Sequence, residues 1–241
     1  MLISLLSGGN VDFINVVVYI ISALAVIFLT LPVHEFSHGF TAVKLGDDTP
    51  RWQGRLTLNP FAHIDYFGAL CILLFGFGWA KPVEVNTRNF RNPKRDMAIT
   101  AFAGPLSNLI VSFLSLIITN IIVLIFSINT LLGSKILQYL LLFFSFIVQI
   151  NISLAVFNLL PIPPLDGSRL LSAFLPDRLY YRLMQYERII FFALFALLWI
   201  GVLDVPLRYL SNAVMSLFSK LMMLIFPNDV ASVTNYFMLM I

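Results

Sequence analysis

Charge is what this chain has least of. Charged residues fill 11% of its 241 positions, against roughly a quarter in ordinary soluble domains, while 59% are hydrophobic. That balance excludes a soluble fold and points to an integral membrane protein. Cys71 is the single cysteine, which rules out an intramolecular disulfide and a thiolate-built metal site. No Lys or Arg precedes Lys44, so the basic n-region of a cleavable signal peptide is missing and the first apolar run is expected to remain as a helix. The formal net charge of +3 comes from basic residues gathered in a few loops rather than along a stripe, so nucleic acid is not an expected partner. With only three histidines, a membrane di-iron oxidase or desaturase is disfavoured as well.

What the chain has in abundance is long apolar runs. The expected fold is an all-α polytopic bundle of five to six transmembrane helices, with a re-entrant loop and short surface strands. The first run, Val11 to Val43, reads as one helix or a kinked pair, because Pro32 removes a backbone donor just before His34. Arg51 to Leu58 alternates enough to suggest strands at the membrane surface. Tyr66 to Ala80 is too short to span comfortably and is broken by Gly76 and Gly78, which fits a re-entrant segment. Met97 to Ile128 and Ile136 to Leu160 read as spans, the second stopped by Pro161, Pro163 and Pro164. Ile189 to Leu203 and Leu207 to Phe226 form a last pair. A single membrane domain over 1–241 is expected, its core at 11–190 and its C-terminal helix pair at 189–226. Basic residues concentrate between Lys44 and Arg95 and between Arg169 and Arg188, which places those loops in the cytoplasm.

Within this apolar setting stands His34-Glu35-Phe36-Ser37-His38. Two histidines four apart share one helix face, where they can bind zinc, and the glutamate between them is placed to take a proton from water. Ionisable groups are costly at membrane depth, so a functional reading is the default. A structural zinc-free packing cluster is the bland alternative. Zinc in a catalytic site needs a third protein ligand. His63, Asp166 and the remaining acids are the candidates, and Asp166 also has the residue type and position of an N-cap for a short helix through Phe174.

Taken in order, His34-Glu35-x-x-His38, Gly104-Pro105-x-x-Asn108 and Asn158-x-x-Pro161-x-Pro163-Pro164-Leu165-Asp166-Gly167 resemble the site-2 protease family of intramembrane metalloproteases. Arg55 to Pro60 and Gly76 to Val83 are similar to its small bacterial branch, which lacks a PDZ domain. The resemblance covers roughly residues 20 to 190. It implies that His34, His38 and Asp166 bind one Zn2+ ion, that Glu35 is the general base and that Asn158 lies beside the metal. It also implies that Gly76, Phe77 and Gly78 belong to a re-entrant loop that pairs with an extended substrate. Asn108 is either a polar residue near the substrate site or a simple interhelical hydrogen bonder. The expected activity is hydrolysis of peptide bonds in transmembrane proteins or peptides, in regulated intramembrane proteolysis or signal-peptide clearance. The bacterial plasma membrane and its lipid are the expected setting, with the site nearer the cytoplasmic face. A non-catalytic membrane adaptor keeping the same fold is the alternative, and it should lack Glu35 or a ligand.

Overall fold

The computed structural model describes residues 13–75, 77–126, 130 and 133–227. Its first helix, α1 (Phe13–Lys44), is continuous through Pro32, where a kink or restart is expected. The chain widens instead into one π turn over Val26–Thr30, and the Leu31 N–H bonds the Val26 carbonyl five residues back. The wider turn absorbs the proline without breaking the helix. The motif therefore rides on an unbroken rod.

No strand forms among the described residues. Arg51 to Leu58, read as surface strand, begins in a one-turn helix α2 (Thr49–Trp52) and continues as turns. Asp47 accepts the Thr49 N–H, Pro50 sits in the first turn, and Gly54 has φ 67, so local capping and reversal override a weak alternation. After a short turn at Pro60–Ala62 comes α3 (Tyr66–Phe75). Residues 77–80 then return, non-helical, beside it. The two pass so closely that a Cβ on Gly68 would strike the Trp79 carbonyl and one on Gly78 the Gly68 carbonyl. Gly76, part of the expected re-entrant loop, lies outside the described residues.

The body is built on α4 (Pro93–Ile125), which packs along α5 (Lys135–Asn158) and across α1. Its buried face carries Ala98, Ala101, Gly104, Ser107, Ser112, Ser115 and Thr119, small residues that let helix backbones approach in an apolar medium. Ser112 donates to the Val148 carbonyl at 3.2 Å, and Tyr19 on α1 donates to that of Ile72 at 2.8 Å. Short helices α6 (Asp166–Leu171) and α7 (Asp177–Gln185) lead to α8 (Glu187–Trp199) and α9 (Asp204–Ile225).

Among the described residues three helices, α1, α4 and α5, are long and apolar enough to cross a membrane. The pair α8 and α9 is bent by 84° and makes a fourth crossing if taken together. Among the described residues that makes three or four crossings, against the five to six expected. Gly201, with φ 80, and the break before Asp204 turn two apolar segments into one bent unit. The protein is an all-helical integral membrane protein, as its composition requires.

Candidate metal centre

The centre assembles where α1, α4 and α6 meet. His34 and His38 lie on the inward face of α1, and their Nε2 atoms are 3.1 Å apart. Asp166 Oδ2 is 3.3 Å from Nε2 of His34 and 3.2 Å from Nε2 of His38. Three donor atoms thus form a nearly equilateral triangle. Tetrahedral zinc with bonds of about 2.0–2.1 Å requires ligand–ligand edges of about 3.3 Å, so the donor set and its spacing both fit that ion. Among the described residues no other group of three His, Cys, Asp or Glu side chains could hold a metal.

Neighbouring backbone prepares these side chains. His38 Nδ1 is 2.7 Å from the Thr100 carbonyl, which can only accept, so the proton sits on Nδ1 and the Nε2 lone pair faces the triangle. Space for both rings is left by Gly104, one turn further along α4. A Cβ there would collide with Nε2 of His34 and of His38. Asp166 is brought in by the end of α5. The proline run stops that helix, and Gly167 lets α6 sit against the Leu159 and Leu160 carbonyls, where any Cβ would clash. The N-cap expected at Asp166 does not form. Leu165 takes the cap position, Asp166 is the first helical residue, and its carboxylate turns to the histidines instead.

Glu35 is buried next to the triangle, and its Oε2 accepts the Val83 N–H at 3.0 Å. Val83 belongs to a non-helical stretch pinned beyond the end of α1 by Asp47, which accepts from the Asn86 N–H, the Asn89 amide and Thr49. Burial pushes the Asp47 carboxyl up, but these hydrogen bonds outweigh it and hold the group below the usual carboxylate range. Glu35 is thus tied, through Val83, to the loops that Asp47 holds together.

A cavity of about 200 Å³ joins His34, Glu35, His38, Asn158 and Asp166. Its apolar wall is Trp79 with Phe191 and Phe195 of α8, whose rings stand 5.3 and 6.2 Å from the indole. Of the residues expected in the site, Phe77 packs instead on Phe157 at 5.2 Å and Gly78 on Gly68, and neither lines the cavity. Asn108 is fully buried within the bundle, with both amide atoms lacking a hydrogen-bond partner. His63 is no part of the centre. Its Nε2 donates to the Thr57 carbonyl at 2.8 Å, and its own carbonyl accepts from Lys81. Thr100 and Val83 act through backbone atoms, which leave no mark in residue type. The helical spacing of Thr100 one turn before Gly104 is the only sequence signal for it.

A helical membrane bundle that turns two histidines, an aspartate and a buried glutamate toward one cavity has the layout of a metal-dependent hydrolase. The chain belongs to peptidase family M50, whose model matches residues 22–201, and the site-2 protease resemblance of its motifs is thereby borne out. It is 40% identical over 184 residues to YwhC of Bacillus subtilis, a protein provisionally named a zinc metalloprotease, covering 73% of this chain and 83% of that one. MJ0611 of Methanocaldococcus jannaschii, similarly named, is 34% identical over 165 residues, covering 66% and 72%. Rip2 of Mycobacterium tuberculosis, strain H37Rv, is 31% identical over 145 residues, covering 58% of this chain, and the match spans about half of Rip2, 51%. No solved structure gives a significant match.

Proposed function

We propose that the protein is an intramembrane zinc endopeptidase that cuts membrane-spanning segments of proteins or peptides, in regulated proteolysis or in clearing signal peptides. The observation that carries this reading is the convergence of His34, His38 and Asp166 on one point beside buried Glu35, inside a helical membrane bundle. His34, His38 and Asp166 hold a single zinc ion, which when bound acidifies water and polarises a carbonyl. Glu35 keeps Oε2 on the Val83 N–H, leaving Oε1 to take a proton from the attacking water and return it to the departing amine. Asn158, at the cavity edge, hydrogen-bonds the peptide carbonyl under attack. The aromatic wall receives an apolar side chain and keeps bulk water from the reacting bond. Trp79, Ala80, Pro82 and Val83 line the cavity in a non-helical stretch, a suitable edge for a substrate that has unwound from its own helix. The setting is the bacterial plasma membrane, with the site toward the cytoplasmic face. A non-catalytic adaptor gains no support, since every ligand and the base are present.

The test is a comparison of membrane fragments from cells making the active protein and its Glu35→Gln variant. The variant should retain zinc and lose cleavage by a factor of at least about 10², with uncut membrane substrates accumulating. Undiminished cleavage by the glutamine variant would overturn the reading.

A further inference from the structure

Two side chains of opposite charge, Arg169 of α6 and Glu187 of α8, line the same cavity as the metal ligands. They form no ion pair with each other, and neither side chain has a hydrogen-bonding or ionic partner among the described residues. Both are half-buried. A guanidinium withdrawn this far from water without an anion gives up hydration and gains nothing in return, so the arrangement is suited to an anion that arrives from elsewhere.

The position of Arg169 says which anion. It follows Asp166 by three residues on the same short helix, about one turn and about 4.5 Å further along the axis. Asp166 is locked to both histidines, and Gly167 seats α6 against the end of α5, so Arg169 is held in fixed register with the centre. The helix runs toward the end of the bundle where Lys94 donates to the Leu175 carbonyl. A peptide lying across the centre and leaving toward that end passes Arg169. Glu187, by contrast, arrives only after α7 and opens a helix that packs on the body through Leu194, Leu198 and its aromatic side chains, without a link of its own to the metal ligands.

We propose that Arg169 is a specificity-determining residue that binds the carboxylate of an aspartate or glutamate in the substrate, a few residues from the bond that is cut. The inference rests on the protease reading above. Selection then has two parts: the aromatic wall accepts an apolar side chain, and Arg169 accepts an acidic one nearby through a forked, charge-assisted pair of hydrogen bonds. A membrane segment that carries an acid at its end is chosen over one that carries a base.

The test uses the full-length, zinc-loaded protein in detergent and a set of fluorogenic apolar peptides, each with Asp, Asn or Lys placed in turn at eight positions around the cut. The wild type should favour Asp over Asn at one position by about tenfold in kcat/KM. Arg169→Gln should erase that ratio, Arg169→Lys should keep part of it, and Arg169→Glu should transfer the preference to Lys at the same position. Zinc content of each variant reports that the centre is intact, and a zinc-binding Arg169→Glu protein with the wild-type Asp preference would overturn the assignment. Equal cutting of all peptides by the wild type would overturn the subsite and leave the protease reading standing. Failure of the zinc-loaded wild type to cut any peptide would overturn both.

Discussion

At the scale of single residues, the most demanding position is one with no side chain. Gly104 gives its volume to two imidazoles, so Gly104→Ala should displace both and weaken zinc binding by about ten- to a hundredfold, measured by competition with a chromophoric chelator. The fold itself should survive, because alanine is well suited to helices. Asp47 is the opposite case, a carboxylate whose worth lies in its charge. Asp47→Asn should cost about 1–3 kcal/mol by removing charge-assisted bonds to Thr49, Asn86 and Asn89. Because the folded-state pKa is lowered, that contribution is complete above the unfolded value of about 3.9 and disappears as pH falls through the folded value. Denaturation curves of the two proteins should therefore differ at neutral pH and converge at acid pH. The candidate ligands were legible from the chain, His34 and His38 through their spacing and Asp166 through the family resemblance. Thr100 and Val83 were not, because what they contribute is a carbonyl and an N–H that every residue owns.

At the scale of elements, what periodicity and hydropathy could read was where apolar segments lie, and α1, α4 and α5 fall there. What they could not read was how segments end or bend. The alternation in Arg51 to Leu58 was outweighed by Pro50, by Gly54 and by the Asp47 carboxylate, whose partners lie some forty residues away in sequence. Likewise hydropathy left open whether the two apolar C-terminal runs each span, and the structure joins them through an 84° bend. The crossing of α3 with residues 77–80 depends on paired absences at Gly68 and Gly78. Gly78→Ala should push the two apart at a cost of about 1–3 kcal/mol, read as a lower unfolding temperature in detergent. Since Trp79 and Ala80 follow directly, the same variant should also raise KM for membrane peptides. A KM and unfolding temperature equal to the wild type would show that the close crossing is not needed.

At the scale of the whole molecule, the helices are antiparallel in a way that gathers the loops at one end. Thr100 lies beside His38, and Lys94 reaches Leu175, so the end of α1, the start of α4 and the chain beyond α5 share a side. Those loops carry most of the basic residues, and the positive-inside rule predicts that they face the cytoplasm. A reporter fused at Lys135 should therefore be active only outside, and one at Arg88 only inside; the reverse pattern would invert the assigned topology. The backbone of α4 at Gly104 closes one flank of the imidazole nitrogens, and the cavity is the open approach to them. A chelator, a fresh ion and a peptide that enter through this cavity would meet in the same passage. On the protease reading, a peptide lodged there would guard the ion behind it, so substrate should slow the stripping of metal by a chelator.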